Sequence, residues 1–229
     1  MTELDQDPLG PLDPDFAKQF RRDDRRPPCQ LYLISPLDVS AGFADRLARA
    51  LDAGPVAAFQ FRVKGVDQHK AAALADPLQR ICADAEVAFI VNDDVALAKR
   101  LGADGVHLGQ DDGDPRDARG ELGPTAQIGV TCHDSRHFAM EAGEGGADYV
   151  AFGAFYPTTT KQVRHVPDPV ILSWWATMFE IPAVAIGGIT PDNARPLVEA
   201  GADFIAVSSA VWSGDEAAAV RRFGEVLVR

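Results

Sequence analysis

Short apolar segments alternate with longer amphipathic segments along most of the chain. Eight segments rich in Val, Ile and Phe predict β-strands at 30–35, 58–63, 88–92, 105–109, 127–131, 149–154, 183–188 and 204–209. The Ala-rich stretches that follow them predict helices at 40–53, 67–84, 94–101, 114–122, 134–145, 168–179, 191–200 and 215–227. This order predicts an α/β protein with a single (β/α)8 TIM barrel. A doubly wound open sheet is the alternative, but the strands carry no GxGxxG fingerprint.

Three similar pentapeptides recur at the starts of predicted strands four, six and eight. They are GADGV at 102–106, GADYV at 146–150 and GADFI at 201–205. Each places a glycine where a helix should end, and glycine is favoured there because it adopts the left-handed conformation at little cost. We interpret the three segments as repeated helix-to-strand joints, with no chemical role.

The first 28 residues differ from the rest of the chain. An acidic, Pro-rich start is followed by RRDDRRPP at 21–28, which mixes both charges before two prolines. This composition predicts an irregular, poorly ordered N-terminal extension over 1–28 in front of a barrel domain over 29–229. The extension has neither the basic start nor the apolar run of a secretory signal.

Charge and cysteine content narrow the functional classes. The formal net charge of −12 argues against a nucleic-acid partner, because a phosphate backbone attracts cations. The apolar runs are too short to span a bilayer, which argues against a membrane partner. Cys29, Cys82 and Cys132 are widely spaced and form no CxxC pair, so we expect reduced thiols and a cytoplasmic location.

Polar side chains interrupt the second predicted strand in the segment FQFRVK at 59–64. Gln60, Arg62 and Lys64 occupy alternate positions, so the strand should present all three on one face. Active sites of TIM barrels lie at the carboxyl ends of the strands. Arg62 and Lys64, together with Lys161 from the loop after strand six, are suited to bind a polyanion such as pyrophosphate.

Two acidic residues follow neighbouring strands, Asp93 after the third and Asp112 after the fourth. Adjacent strands lie about 5 Å apart, so the two carboxylates can hold one Mg²⁺ whose other ligands are substrate phosphates. Asn92 adds an amide beside them. The alternative for Asp93 alone is an N-cap of the next helix. The nearby cations and Asp112 favour the metal site.

The remaining strand ends predict a second phosphate site. Gly187–Gly188 and Ser208–Ser209 end strands seven and eight, whose loops commonly bind phosphate in this fold. Thr158 and Thr160 add hydroxyl groups from the loop after strand six. A diphosphate and a monophosphate bound in one barrel mouth indicate that a phosphorylated reactant displaces pyrophosphate.

These motifs together resemble the thiamine-phosphate synthase family over residues 30–212. The segments that carry the resemblance are QFRVK, VNDD, DGVHLGQDD, GVTCH, PTTTK, AIGGI and VSSA. The resemblance implies a (β/α)8 transferase that uses Mg²⁺. Its small-molecule substrates would be 4-amino-2-methyl-5-(diphosphooxymethyl)pyrimidine and a thiazole phosphate, and its products thiamine phosphate and pyrophosphate. It also implies a dissociative step through a pyrimidine-stabilised carbocation.

The resemblance further implies a role for each matching residue. Catalytic contacts to the departing pyrophosphate would come from Arg62, Lys64 and Lys161, and Mg²⁺ ligands would be Asp93 and Asp112. The implied substrate-binding residues are Gln60, Asn92 and Thr131 for the pyrimidine diphosphate and Thr158, Thr159, Thr160, Gly188, Ser208 and Ser209 for the thiazole phosphate.

The chain departs from the family pattern at two places. Thr131 stands where the family usually has Ser, so a hydroxyl is kept and a methyl is added. After Lys161, QVRHVPDPVIL replaces the usual Pro-rich stretch and Gly-Leu.

Two other functions and two structural alternatives stay open. A thiazole tautomerase of the same superfamily should lack the metal aspartates and the QFRVK segment, and a non-catalytic thiazole-phosphate sensor should have lost Lys64 or an aspartate. His107 either lines the barrel mouth or packs in the core. Trp174 and Trp175 pack against the barrel or against a partner subunit, which leaves a homodimer open.

Overall fold

Eight parallel strands close into a barrel in the computed structural model, which describes residues 9–20, 26–40, 42–158 and 165–228. Each strand pairs with its sequence neighbours, and β8 pairs with β1. The strands are β1 Gln30–Ile34, β2 Ala58–Phe61, β3 Ala88–Asn92, β4 Gly105–Leu108, β5 Gln127–His133, β6 Tyr149–Gly153, β7 Ala183–Ile186 and β8 Phe204–Val207. The predicted TIM barrel is therefore confirmed.

Helices surround the barrel at the places that the sequence predicts, with one addition. They are α1 Phe43–Asp52, α2 Gln68–Asp84, α3 Val95–Leu101, α4 Pro115–Leu122, α5 Arg136–Glu144, α6 Val170–Met178, α7 Arg195–Ala200, α8 Ser209–Trp212 and α9 Glu216–Leu227. The addition is α8, because β8 ends at Val207 and the chain turns directly into a short helix. The prediction that this strand continues to Ser209 was wrong.

Two separate apolar layers fill the molecule. The larger layer lies between the strands and the helices, and it includes the fully buried Trp175, whose ring contacts Phe152 and Phe179. Trp174 is also buried, so both tryptophans pack within the chain itself. The smaller layer lies inside the barrel, where the inward residues include Ile34, Ile90, Val184 and other side chains of alternate strand positions.

The three GAD segments form helix-to-strand joints, as predicted, and their aspartates also bind backbone. In each joint the Asp side chain accepts a hydrogen bond from the backbone N–H at or near the start of the preceding strand. We call these contacts the aspartate clamps: Asp104 to Phe89 N, Asp148 to Ile128 N and Asp203 to Ala183 N, at 2.7, 2.7 and 2.8 Å. All three lie at the amino ends of the strands, away from the mouth where the candidate site is found.

The described part of the N-terminal extension contacts the barrel. Its regular structure is a 3₁₀ helix at Phe16–Gln19. Arg26 forms an ion pair of 2.8 Å with Asp203, and the Arg136 guanidinium binds the Gly10 carbonyl while lying 5.4 Å from the Trp174 ring centre. The boundary at residue 28 and the poor order of the extension stay predictions.

A buried carboxylate joins the last helix to the first. Glu216 of α9 is 5% exposed and accepts hydrogen bonds from Arg46 Nε and Arg49 Nε of α1, at 3.0 and 2.8 Å. Burial raises the pKa of Glu216, but the hydrogen bonds from Arg49 and Arg46 together outweigh burial and lower the pKa below its ordinary value. The pair of helices therefore closes the outer ring through a charged contact.

We predict that Glu216→Gln lowers the free energy of unfolding by about 2 kcal/mol at neutral pH, because charge-assisted hydrogen bonds are lost. In the unchanged protein the folded-state pKa lies below the unfolded value of 4.5. The contribution is therefore complete above that value and is lost as the pH falls through the folded-state pKa. Urea unfolding at several pH values measures both effects. Asp192→Asn, which removes the exposed Arg222 pair, is the control and should change little. A similar loss in both variants would contradict the prediction.

Candidate active site

The polar residues of FQFRVK divide between the barrel interior and the loop that follows. Strand β2 ends at Phe61, so Arg62 and Lys64 lie in the loop that follows it. Gln60 is buried inside the barrel, where its amide donates to the Tyr32 hydroxyl at 3.0 Å. Of the three, only Gln60 lies within the strand, and the shared face of all three side chains stays a prediction. All three lie at the carboxyl end of the barrel.

Ser35 holds the loop after β2 against the end of β1. Its buried hydroxyl accepts from the Arg62 N–H at 2.9 Å and is placed to donate to the Arg62 carbonyl at 3.1 Å. The Ser35 carbonyl in turn accepts from the Ser208 hydroxyl at 3.4 Å. Sequence reasoning missed Ser35, and its only signal was a hydroxyl residue at the end of an apolar strand.

Asp93, Asp112 and Lys64 meet at the mouth of the barrel. The Asp93 and Asp112 side chains interact directly, and Lys64 Nζ lies 3.5 Å from Asp93 Oδ2. Burial and the neighbouring Asp112 carboxylate raise the pKa of Asp93, while Lys64 partly offsets them. The two carboxylates therefore repel each other when both are charged, and added positive charge at this place would stabilise them.

The backbone directs the Asp93 side chain to this place. Asp94, and not Asp93, caps helix α3, since the Asp94 side chain accepts from Leu97 N at 2.8 Å. Asp93 itself has a φ of 66°, a left-handed conformation that costs a non-glycine residue about 1 kcal/mol or more. Its N–H donates to the His107 carbonyl at 2.8 Å. The alternative that Asp93 serves only as an N-cap was therefore wrong.

The donor set suits a hard dication. Oxygen ligands from carboxylates are those that Mg²⁺ prefers, and it usually keeps several positions for water and substrate phosphate. Within residues 9–20, 26–40, 42–158 and 165–228, no group of three or more His, Cys, Asp or Glu side chains could hold a metal ion. Asp93 and Asp112 would therefore need oxygen atoms from a substrate or from water to complete a coordination shell.

The loops after β6 and β7 lie against each other on the opposite side of the mouth. The N–H of Tyr156 donates to the Gly187 carbonyl at 3.0 Å. Gly188 has a φ of 64°, and a β-carbon there would lie 2.3 Å from the Pro157 carbonyl oxygen. Only glycine fits such a close approach without displacing the neighbouring backbone. Thr158 is described at the end of this contact, whereas Thr159, Thr160 and Lys161 lie outside the described residues.

His165, which follows the β6 loop, lies beside His133 at the end of β5. His165 Nδ1 lies 3.0 Å from Asp134 Oδ1, and the rings of His165 and His133 are 5.0 Å apart. The His165 carbonyl also accepts from Ala154 N at 3.2 Å. His165 lies in the stretch after Lys161, and these contacts hold it beside the carboxyl end of β5.

A chain of polar side chains inside the barrel was the main feature missed by sequence reasoning. His107 packs in the core as well as lining the base of the mouth, because its ring joins Tyr149 Oη at 3.1 Å to Thr131 Oγ1 at 2.7 Å. The Tyr149 and Tyr32 hydroxyls lie 2.9 Å apart. Burial raises the pKa of Tyr32 to about 12 and that of Tyr149 well above its ordinary value. Tyr32 and Ile34 occupy alternate positions of β1 and so point to the same face, which could have indicated that Tyr32 lies inside the barrel.

Comparison with known proteins agrees with this fold and identifies the family. The family model for thiamine monophosphate synthase matches residues 31–211. A thiamine-phosphate synthase of Erythrobacter litoralis is 69% identical over 86% of this chain and 95% of its own length. One from Rhodospirillum centenum is 53% identical over 87% and 98%, respectively. A solved thiamine phosphate pyrophosphorylase of Pyrococcus furiosus superposes with a TM-score of 0.77 at 31% identity, over 86% of this chain and 95% of that one.

The fold and mouth thus define a TIM-barrel enzyme that handles phosphorylated substrates. The chain belongs to the thiamine monophosphate synthase family. The resemblance drawn from the sequence motifs is confirmed, and so is the transferase class. The roles of individual residues stay predictions.

We predict that Gly188→Ala lowers the free energy of unfolding more than Gly102→Ala does. Both glycines have a φ near the same value, 64° and 60°, so both substitutions cost about 1 kcal/mol of backbone strain. A β-carbon at Gly102 meets nothing within 4 Å, whereas one at Gly188 collides with two carbonyl oxygens. The extra cost should be about 1–3 kcal/mol, measured by urea unfolding. Equal losses would show that the β6 and β7 loops do not touch at Gly188.

Proposed function

We propose that the protein joins 4-amino-2-methyl-5-(diphosphooxymethyl)pyrimidine to a thiazole phosphate, giving thiamine phosphate and pyrophosphate. The observation that carries this proposal is the contact of Lys64 with the Asp93–Asp112 carboxylate pair at the mouth of a barrel of this family. A cation beside paired carboxylates is the arrangement that a metal-bound diphosphate requires.

The leaving pyrophosphate accounts for the cations at the mouth. The bond from the pyrimidine methylene carbon to the diphosphate oxygen breaks, and the diphosphate leaves with the electron pair. The thiazole nitrogen then forms the new bond with its lone pair. Arg62, Lys64 and Lys161 stabilise the growing negative charge on the diphosphate, and the barrel holds the two reactants in line. The step needs no general base, because the attacking nitrogen carries no proton to remove.

Asp93 and Asp112 hold Mg²⁺ in this proposal. When bound, the ion supplies positive charge to the diphosphate oxygens and relieves the repulsion between the two carboxylates. Lys64 approaches Asp93 from the β2 loop, so its ammonium group lies close to the proposed position of the departing pyrophosphate.

The two organic groups occupy the two halves of the mouth. Three residues lie near the carboxyl ends of β2, β3 and β5, namely Gln60, Asn92 and Thr131. In this proposal they contact the pyrimidine diphosphate. The thiazole phosphate is bound on the β6–β8 side. The residues proposed for it are Thr158, Thr159, Thr160, Gly188, Ser208 and Ser209.

The proposed location of the protein rests on its cysteine residues. Cys29, Cys82 and Cys132 are buried free thiols, which supports the proposed cytoplasmic location. Among the helices that the structure describes, none is both long enough and apolar enough to cross a membrane. The homodimer stays a prediction, and sedimentation equilibrium would test it.

The reaction can be tested directly by mixing the protein, Mg²⁺, the pyrimidine diphosphate and the thiazole phosphate. Thiamine phosphate is then detected after oxidation to fluorescent thiochrome. Product that disappears with chelator and returns with Mg²⁺ supports the proposal. Folded protein that binds thiazole phosphate and gives no product would instead indicate a tautomerase or a sensor.

We predict that Asp112→Ala reduces the Mg²⁺-dependent rate by roughly a hundredfold or more, because one of two carboxylate ligands is lost. The barrel should remain folded, since Asp112 lies in an exposed turn. Asp111→Ala removes the neighbouring exposed carboxylate and is the matched control, with activity close to that of the unchanged protein. A variant at Asp112 that stays active without metal would overturn the metal assignment.

We predict that Lys64→Ala reduces kcat by roughly a hundredfold, because the charge that stabilises the leaving group is lost. The KM for the thiazole phosphate should change by less than about twofold, since that substrate binds across the mouth. Lys99→Ala, at the far end of helix α3, is the control for loss of an exposed lysine. An unchanged kcat would remove Lys64 from the leaving-group site.

A further inference from the structure

Five side chains form a continuous line of hydrogen bonds across the inside of the barrel. Gln60 Nε2 lies 3.0 Å from Tyr32 Oη, which lies 2.9 Å from Tyr149 Oη. Tyr149 Oη lies 3.1 Å from His107 Nδ1, and His107 Nε2 lies 2.7 Å from Thr131 Oγ1. The residues come from β2, β1, β6, β4 and β5, so the line crosses the barrel and connects two residues of the proposed pyrimidine half.

The fold leaves room for this line at one position in particular. Gly129 of β5 is paired in register with both His107 and Tyr149. A β-carbon on Gly129 would lie 2.0 Å from the Tyr149 ring, so only glycine lets the ring cross the barrel there. The Tyr149 and His107 rings stack with centres 5.6 Å apart. Both rings are thereby held in one orientation.

The protons along the line can be assigned in order from Gln60. An amide nitrogen only donates, so Tyr32 Oη accepts from Gln60 and its own proton is directed at Tyr149 Oη. The Tyr149 proton is then directed at His107 Nδ1. A nitrogen that accepts carries no proton, so the neutral imidazole has its proton on Nε2 and donates to Thr131 Oγ1.

We propose that this line fixes His107 as the Nε2–H tautomer and thereby makes the Thr131 hydroxyl a hydrogen-bond donor toward the substrate. The Thr131 oxygen is occupied by the His107 proton, so its own O–H is directed elsewhere. A ring nitrogen of a heteroaromatic substrate is the kind of acceptor that such a hydroxyl selects, while a donor at that position is rejected. His107, Tyr149 and Tyr32 are positioning residues in this proposal, since they act through Thr131 and Gln60.

The opposite assignment is physically distinct. If the Gln60 amide were turned over, its oxygen would accept from Tyr32 and every bond of the line would reverse. His107 would carry its proton on Nδ1, and Thr131 would donate to His107 and present only an acceptor to the substrate. Two neutral phenols support either direction, and their raised pKa values keep both neutral. The His107 tautomer therefore decides between the two.

The first test is nitrogen NMR of the substrate-free protein labelled with ¹⁵N-histidine at pH 7.5. We expect His107 to show a protonated Nε2 and an unprotonated Nδ1, which have well-separated chemical shifts. Tyr149→Phe keeps the ring and removes the donor to Nδ1, so it should change the His107 signal to a mixture of tautomers. Ser173→Ala deletes a hydroxyl of helix α6 that donates to the Ala200 carbonyl of helix α7. It should leave the signal unchanged. A proton on Nδ1, or on both nitrogens, overturns the proposal.

The second test rests on the proposed function and asks whether Tyr149 acts through Thr131. Thr131→Val and Tyr149→Phe should each lower kcat/KM for the pyrimidine diphosphate by roughly tenfold, the value of one lost hydrogen bond. The double variant should lose only about twofold more than either single variant, because the two changes remove the same interaction. Ser173→Ala, the control of the first test, should keep the activity of the unchanged protein. The KM for the thiazole phosphate should not change in any of these variants. Fully additive losses overturn the proposal.

The two tests separate the inference from the reaction on which it rests. If the unchanged protein makes no thiamine phosphate, the proposed function fails, while the tautomer measurement still decides the direction of the line. If thiamine phosphate is made and His107 carries its proton on Nδ1, the function stands and the inference fails. Should Tyr149→Phe prove too unstable to study, Gln60→Glu replaces the donor at the start of the line with a carboxylate. The expected outcome is then the same loss of the Nε2–H tautomer.

Discussion

The limited space inside an eight-stranded barrel is the constraint on which the rest of this structure depends. A β-carbon at Gly129 would collide with the Tyr149 ring, and one at Gly105 would lie 2.0 Å from the Gln127 carbonyl oxygen. Absence of a β-carbon at Gly105 lets β4 lie against β5 at Gln127, and absence of one at Gly129 lets the Tyr149 ring cross the interior. Tyr149 then stands between Tyr32 and His107, and the polar line from Gln60 to Thr131 becomes possible. Packing and the polar line therefore share one cause, which is the volume left at Gly129.

The charged groups at the mouth are positioned by the loops that follow β2, β3 and β4. Asp93 is held in a left-handed conformation beside Asp112, and Lys64 reaches the pair from the β2 loop. In the described part of the chain, the carboxylates lie close enough to raise the pKa of Asp93, which is a cost to the folded state. The proposed binding site for Mg²⁺ and a diphosphate would account for this cost. Function at the mouth and strain at Asp93 are thus two descriptions of the same geometry.

Sequence reasoning found the architecture because apolar periodicity is local, and it lost accuracy where tertiary contacts decide. The eight strands and the joints at the GAD segments were predictable from pattern and glycine placement alone. The end of β2 was not, since the Ser35 hydroxyl takes the Arg62 N–H that a longer strand would have used. Tyr32 and Tyr149 were missed because a tyrosine in an apolar strand reads as core, and only the closed barrel brings their hydroxyls together. Thr159, Thr160 and Lys161 remain sequence predictions.

The barrel can be described as four pairs of strands, three of which are joined by the aspartate clamps and one by a different hydrogen bond. Pairs β3–β4, β5–β6 and β7–β8 are each tied at their amino ends by Asp104, Asp148 or Asp203. The β1–β2 pair is instead tied at its carboxyl end, through the Ser35 hydroxyl and Arg62. In six strands, therefore, the parts that keep the cylinder closed are separate from the parts that meet substrate, so their loops are free to diverge between enzymes. In the first pair Ser35 ties the two strands and also holds Arg62, which is proposed to bind pyrophosphate, so a change at Ser35 would alter both the architecture and the proposed site.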